Sequence, residues 1–196
     1  MKLPKHVINL YRFTSTDTDG YRIALQHVCI EYTAGNAIAT AVATDGHRLV
    51  YLYFNMGGFQ PTDGKLYLHR DVLKNIKLGK DGVANLNDGY ITATVRGATT
   101  RYDASYDLQG YGYPDWRQCA DIAPSDDATP CSMVGVNARY LADFADYLKA
   151  CGVGYGIGFE MPANDTSIIA MTAHGDVDGS GDTSQAIRYL LMPMRL

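Results

Sequence analysis

The sequence is short of positive charge. Its 196 residues carry 17 Lys and Arg against 21 Asp and Glu, a net charge of -4. This excludes a globally basic nucleic-acid binder, although a local basic face can act inside an acidic chain. Cysteine is sparse and scattered. Cys29, Cys119, Cys131 and Cys151 form no Cys-x-x-Cys pair, which argues against a zinc site, so no metal and no cofactor are expected. The opening Met1-Lys2-Leu3-Pro4-Lys5 leads into no long apolar run. Neither a signal peptide nor a membrane span is expected, and the reading is a cytoplasmic protein with reduced thiols and no membrane partner. Signatures of catalysis are missing as well. His47 stands near Asp45, yet no Ser or Cys lies in a recognisable nucleophile elbow and no second His sits at ligand spacing. Gly152-Val153-Gly154-Tyr155-Gly156 follows a helix pattern, the wrong order for a dinucleotide loop. Asp176 to Asp182 begins like a calcium loop, but Ile187 occupies the twelfth position, where a bidentate Glu is required. An enzyme therefore has no supporting constellation.

What is present is an ordinary globular composition, 46% hydrophobic and 19% charged, with 15 Tyr of the kind that sheets accommodate well. Pro4 suits the first turn of a helix over Lys5 to Phe13, with Val7, Ile8, Leu10 and Tyr11 as its apolar face. Thr14 to Gly20 reads as a polar loop and Tyr21 to Tyr32 as a strand. Ala34-Gly35-Asn36 turns into a strand over Ala37 to Val42, and Val50 to Phe54 is the next. The order then repeats. Leu66 to Leu68 is a strand, and His69 to Leu78 a helix with Val72, Leu73 and Ile76 inward. Val83 to Leu86, Tyr90 to Val95 and Thr99 to Leu108 are strands. After a polar stretch, Met133 to Val136 is read as a strand. Asn137 caps a helix over Ala138 to Ala150, and the strands Tyr155 to Phe159, Thr166 to Ala173 and Ile187 to Pro193 follow. The class is α+β: three copies of one unit, a helix backed by a small antiparallel sheet.

Between two of the strands lies Ala43-Thr44-Asp45-Gly46-His47-Arg48-Leu49. By composition its centre is a turn, since Asp bonds backbone groups further along and Gly accepts a positive φ. The string also resembles the Thr-Asp-Gly-His-Arg-Leu signature of the bacterial DNA polymerase III β sliding clamps. Tyr113-Pro114-Asp115-Trp116-Arg117-Gln118 resembles that family's Phe-Pro-Asp-Tyr-Arg stretch. Met192-Pro193-Met194-Arg195-Leu196 matches its C-terminal Met-Pro-Met-Arg-Leu.

The resemblance implies DNA-clamp-like repeats, with residues 1–118 as two units like the family's middle domain. Residues 119–130 would be a linker, and 131–196 a third unit like the second half of its last domain. It also implies a groove that docks the clamp-binding peptides of polymerases and other proteins. Carried over residue by residue, Thr44, Gly46, His47, Arg48 and Leu49 form one wall and Pro114, Arg117 and Gln118 another, and Leu25 matches a groove leucine one strand earlier. Met192, Pro193, Met194, Arg195 and Leu196 form the third. Two methionines are adaptable apolar anchors, and Arg48, Arg117 and Arg195 are donors for peptide carbonyls or carboxylates.

The second helix carries Arg70, Lys74 and Lys77 at spacings of four and three, which places them on one face. In a clamp that face, with Lys5 and Arg12, would meet the phosphates of double-stranded DNA without reading sequence. The related rings hold twelve units, so four chains of three would close one, and a homo-oligomer, a tetramer, is the expectation for a processivity factor that encircles DNA. The alternative is an interaction module that keeps the groove and competes for clamp-binding peptides without encircling DNA.

Overall fold

In a computed structural model the described residues are 1–59, 62–79, 83–87, 89–104, 108, 112–121, 134–153, 156–160, 168–177, 182 and 184–192. Among them run strands β1 (Lys2–Leu3), β2 (His27–Tyr32), β3 (Ile38–Thr44), β4 (Arg48–Asn55), β5 (Gly64–His69), β6 (Val83–Asn87), β7 (Tyr90–Val95), β8 (Ala98–Asp103), β9 (Ile157–Glu160), β10 (Ile169–His174) and β11 (Ala186–Leu191), and the described residues also form four α-helices. These are α1 (Lys5–Asn9), α2 (Arg70–Asn75), α3 (Arg117–Ala120) and α4 (Ala138–Cys151). The strands form a four-stranded sheet, ordered β1-β6-β7-β8, and a seven-stranded sheet, ordered β5-β2-β3-β4-β11-β10-β9. All pairings are antiparallel.

Strand alternation gives the large sheet two different faces. Val28 and Ile30, Ala39, Ala41 and Ala43, Val50, Leu52 and Phe54, and Ile187, Tyr189 and Leu191 point inward to the main core. There they meet α1, α4 and the 3₁₀ turn Leu10–Phe13. Aromatic rings close this layer: Phe144 of α4 stacks on Tyr189 at 4.4 Å, and Phe13 meets Tyr147 edge-on at 5.2 Å. The outer face carries Val42, Leu49 and Leu190, over which Trp116 packs.

The best periodic segment folds as expected. Asn137 caps α4 by accepting from the Arg139 N–H at 3.0 Å. Gly152, at φ 79°, ends it while Val153 donates to the Leu148 carbonyl. Other segments differ. Tyr21 to Tyr32 is not one strand: Gly20–Gln26 is a 3₁₀ turn and β2 begins at His27. Local bonds favour the turn, since Arg22 N–H donates to the Asp19 carbonyl and Ser15 N–H to that of Leu25. Pro4 is the N-cap of α1, one residue before its first turn.

Helix α2 stops at Asn75. Ile76 adopts ψ 112° and donates back to the Leu73 carbonyl, so that both side chains bury. The strand expected over Thr99 to Leu108 is β8, which ends at Asp103. Val134 to Val136 forms no strand ladder, and Met133 lies outside the described residues. The expected linker opens with α3, and 122–130 lie outside the described residues. Strand β11 pairs with β4 from Ile187↔Leu52 to Leu191↔Arg48, which joins the third segment's strands to the first segment's sheet. Among the described residues no helix is long and apolar enough to cross a membrane.

Candidate functional site

The turn between β3 and β4 is built almost wholly from its own side chains. Thr44 Oγ1 donates to the Arg48 carbonyl at 2.7 Å and accepts from the Gly46 N–H at 3.1 Å. Asp45 Oδ1 accepts from the N–H groups of His47 and Arg48 at 3.0 and 3.2 Å. Gly46 takes φ 91°. A Cβ there would meet only Leu25 Cδ1 at 3.8 Å, so the dihedral rather than space demands glycine.

The next two residues part company, because neighbours on a strand face opposite ways. Leu49 joins the outer cluster. Arg48 turns inward and is 8% exposed. Its Nε donates to Asp45 Oδ2 at 2.9 Å, Nη1 to Asp143 Oδ2 on α4 at 2.6 Å, and Nη2 to the Arg12 carbonyl at 3.3 Å. The guanidinium lies 4.6 Å from the Tyr140 ring centroid and 5.3 Å from that of Phe13. Burial opposes its charge, but its hydrogen bonds to Asp143 and Tyr189 and the nearby Asp45 hold its pKa above the usual arginine value. All three guanidinium nitrogens of Arg48 are thus engaged within the protein.

On the outer face the segment 112–121 crosses the sheet. Tyr113 Oη donates to the carbonyls of Val42 and His27, and its ring stacks on Tyr67. Trp116 is 4% exposed and lies 5.0 Å from the Tyr51 ring, and its buried indole N–H has no hydrogen-bond partner among the described residues. Beside it opens an apolar cavity of about 230 Å³. Of the expected groove residues, Leu25, Thr44, Gly46, His47, Arg48, Leu49, Pro114 and Met192 line it. Met192 N–H donates to the His47 carbonyl at 3.0 Å, which ties the end of β11 to the turn, and its side chain is 49% exposed.

Pro193, Met194, Arg195 and Leu196 lie outside the described residues. Arg117 and Gln118 do not line the cavity. Arg117 points across the sheet to Glu31, Nη2 to Oε2 at 2.5 Å, and Gln118 bonds Asp115. Asp115, Trp116, Cys119, Ile168, Leu190 and Leu191 complete the lining and were not foreseen. Two signals were available: Trp116 is the only Trp, and Leu190 shares the strand parity of Met192.

The basic set is dispersed. Arg70 donates to the carbonyls of Thr14 and Ser15, at 3.2 and 2.6 Å. Lys77 lies beyond the end of α2 and bonds the Lys74 carbonyl. Lys74 and Arg12 are exposed and Lys5 is half-buried. The three-residue ridge expected on one helix therefore does not form, because the helix is too short to carry it.

Electrostatically the outer face is dry. Burial pushes the Cys29 thiol up to about 12, with Glu31 adding to it. It also pushes the buried Tyr113 hydroxyl well above its ordinary value, and holds His27 down at about 4. A thiol so raised is a poor nucleophile. Among the described residues no group of three or more His, Cys, Asp or Glu is placed to hold a metal. The arrangement offers an apolar recess with a flexible methionine at its rim, which suits an apolar peptide side chain.

No protein-family model matches the sequence, and no curated protein matches it. Solved structures do match. A protein described as a DNA polymerase III beta subunit from Eubacterium rectale superposes with TM-score 0.63 at 13% identity, over 100% of this chain and 65% of that one. The DNA polymerase III subunit beta of Pseudomonas aeruginosa gives 0.61 at 16%, over 100% and 66%. The Caulobacter crescentus pol III beta gives 0.61 at 15%, over 100% and 66%. The fold is that of the DNA polymerase III beta sliding clamps. The chain spans just under two thirds of the length of these proteins.

Proposed function

We propose that this chain is a sliding-clamp-like processivity factor that recruits a DNA polymerase, and other proteins bearing clamp-binding peptides, through the outer-face groove. In this reading it encircles double-stranded DNA, meets it through backbone phosphates, and acts in the cytoplasm as a homo-oligomer without catalysis of its own. The observation that carries the proposal is convergence. Three stretches far apart in sequence contribute to one apolar recess, Thr44 with Gly46 to Leu49, Pro114 to Trp116 with Cys119, and Leu190 to Met192, and the clamp fold supports reading it as a peptide site. Residues 1–118 would act as the clamp-like domain, 119–130 as the linker, and 131–196 as the third unit. Pro193 to Leu196 would extend the wall that Met192 begins. A tetramer would supply the twelve units of a ring.

Calorimetric titration with a clamp-binding peptide from a bacterial replicative polymerase should give micromolar affinity, roughly -8 kcal/mol. Replacing the exposed Met192 by Asp, or removing Met194, Arg195 and Leu196, should abolish it. Unchanged affinity in both variants would refute the groove. The second reading, an interaction module that does not encircle DNA, is favoured by one observation: Arg70 is spent on the Thr14 and Ser15 carbonyls and Lys77 leaves the helix. Retention on nicked circular but not linearised DNA, with a solution mass above that of the 21.4 kDa chain, supports the ring. A monomer with no retention supports the module.

A further inference from the structure

The ion cluster around Arg48 lies where the two faces of the sheet meet. On one side Arg48 and Asp45 belong to the turn that walls the recess. Asp45 accepts from two backbone N–H groups with Oδ1 and from Arg48 with Oδ2. On the other side the same guanidinium is held by Asp143, one turn into α4, and by the carbonyl of Arg12. Asp143 contributes no atom to the recess lining. Its carboxylate nevertheless takes the shortest of the bonds from Arg48 and fixes where that guanidinium sits between the Tyr140 and Phe13 rings. Arg48 in turn orients Asp45, and Asp45 orients the N–H of His47, whose carbonyl holds Met192. The chain of contacts from α4 to the rim of the recess is continuous, and each link is a hydrogen bond.

We propose that Asp143 is a positioning residue for the groove. Through Arg48 it holds the Asp45–His47 turn, and with it Met192, in the shape that receives a peptide. The proposal rests on the groove reading above for its binding arm and is independent of it for its structural arm. A positioning role makes two demands. The neutral isostere must disturb the turn although it touches none of the recess. An equal loss of charge elsewhere on the same helix must not. Asp146, exposed on α4, supplies the second case.

The experiment compares the full chain with Asp143→Asn and Asp146→Asn, following amide hydrogen exchange at Gly46 and His47 and the affinity for a fluorescein-labelled clamp-binding peptide. Asp143→Asn is expected to speed exchange at these two amides and to weaken the peptide about tenfold, within the usual range for coupled sites. Amides of β6 and β7 should stay as slow as in the unaltered chain, which separates local loosening from unfolding. Asp146→Asn should change neither readout, and Asp143→Glu should recover part of the affinity. Unchanged exchange at Gly46 and His47 in Asp143→Asn overturns the proposal, and so does an equal effect from Asp146→Asn. If the unaltered chain binds no peptide the groove reading fails, and the exchange measurement alone then decides the role of Asp143.

Discussion

The outer corner and the helical face of the large sheet were read from the same sequence by different kinds of signal, and they fared differently. The corner rests on a contiguous string whose residues bond one another: Thr44, Asp45 and Gly46 close the turn chiefly through bonds within residues 44–48, and Arg48 ties it onward to Asp143. The helical face rests on charges at helical spacing, and that spacing has meaning only where the helix is long enough. Helix α2 has six residues, so Lys77 falls outside it, and Arg70 has closer carbonyls to satisfy than any distant phosphate. Geometry set by a short motif depends only on residues within a few positions of one another. A surface field summed over several side chains depends on each helix end and each neighbouring carbonyl.

This contrast can be broken at several points. The largest effect is expected at the corner's anchor. Trp116→Ala removes the ring that covers Val42, Leu49 and Leu190 and should cost about 4 kcal/mol in urea unfolding; a loss below about 1 kcal/mol would mean that the outer face is not a core in its own right.

Acid is expected to act next. His27, fully buried beneath Tyr113, keeps its ring neutral down to about pH 4 in the folded chain, against 6.5 when free. Between these values the unfolded chain binds more protons, so stability is intact above 6.5 and falls as the pH drops through the window, by roughly 3 kcal/mol in all. Unfolding free energies measured across that range should show the slope, and His27→Gln should remove it.

A smaller loss is expected at the turn. Gly46→Ala puts a side chain at φ 91° and should cost about 1–2 kcal/mol. Peptide affinity should fall with it, and DNA retention should not. The smallest effect on stability belongs to the helical face, where Lys74 is exposed. Lys74→Glu should leave the unfolding midpoint within about 0.5 kcal/mol of the unaltered chain and lower the salt dependence of any DNA binding by about one phosphate contact.

Much of this was legible in the sequence, and the limits have physical causes. The hairpin around Gly46 and helix α4 with its Asn137 and Gly152 caps were readable because their determinants lie within a few residues. The 3₁₀ turn Gly20–Gln26 was misread because alternating Ile23 and Leu25 mimic a strand, while the bonds that decide the matter run to Asp19 and Ser15. Arg48 and Leu49 were both assigned to the groove wall. Both border the recess, but strand parity turns the Arg48 guanidinium inward, and the partner that holds it there, Asp143, is 95 residues away. Trp116 and Leu190 were overlooked for a related reason, since only the pairing of β11 with β4 brings Leu190 beside Leu49. Arg117 could not be assigned without knowing that Glu31 lies across the sheet from it.

Occupancy of the recess at Trp116 by a peptide can be read from the protein itself. As the chain's only tryptophan lines that recess, its emission reports occupancy directly. Titrating a clamp-binding peptide that contains no Trp or Tyr should produce a saturable change in Trp116 emission with a midpoint in the micromolar range, about -8 kcal/mol, absent in Met192→Asp. An emission spectrum that stays constant up to millimolar peptide, or a change that Met192→Asp leaves intact, would contradict the account.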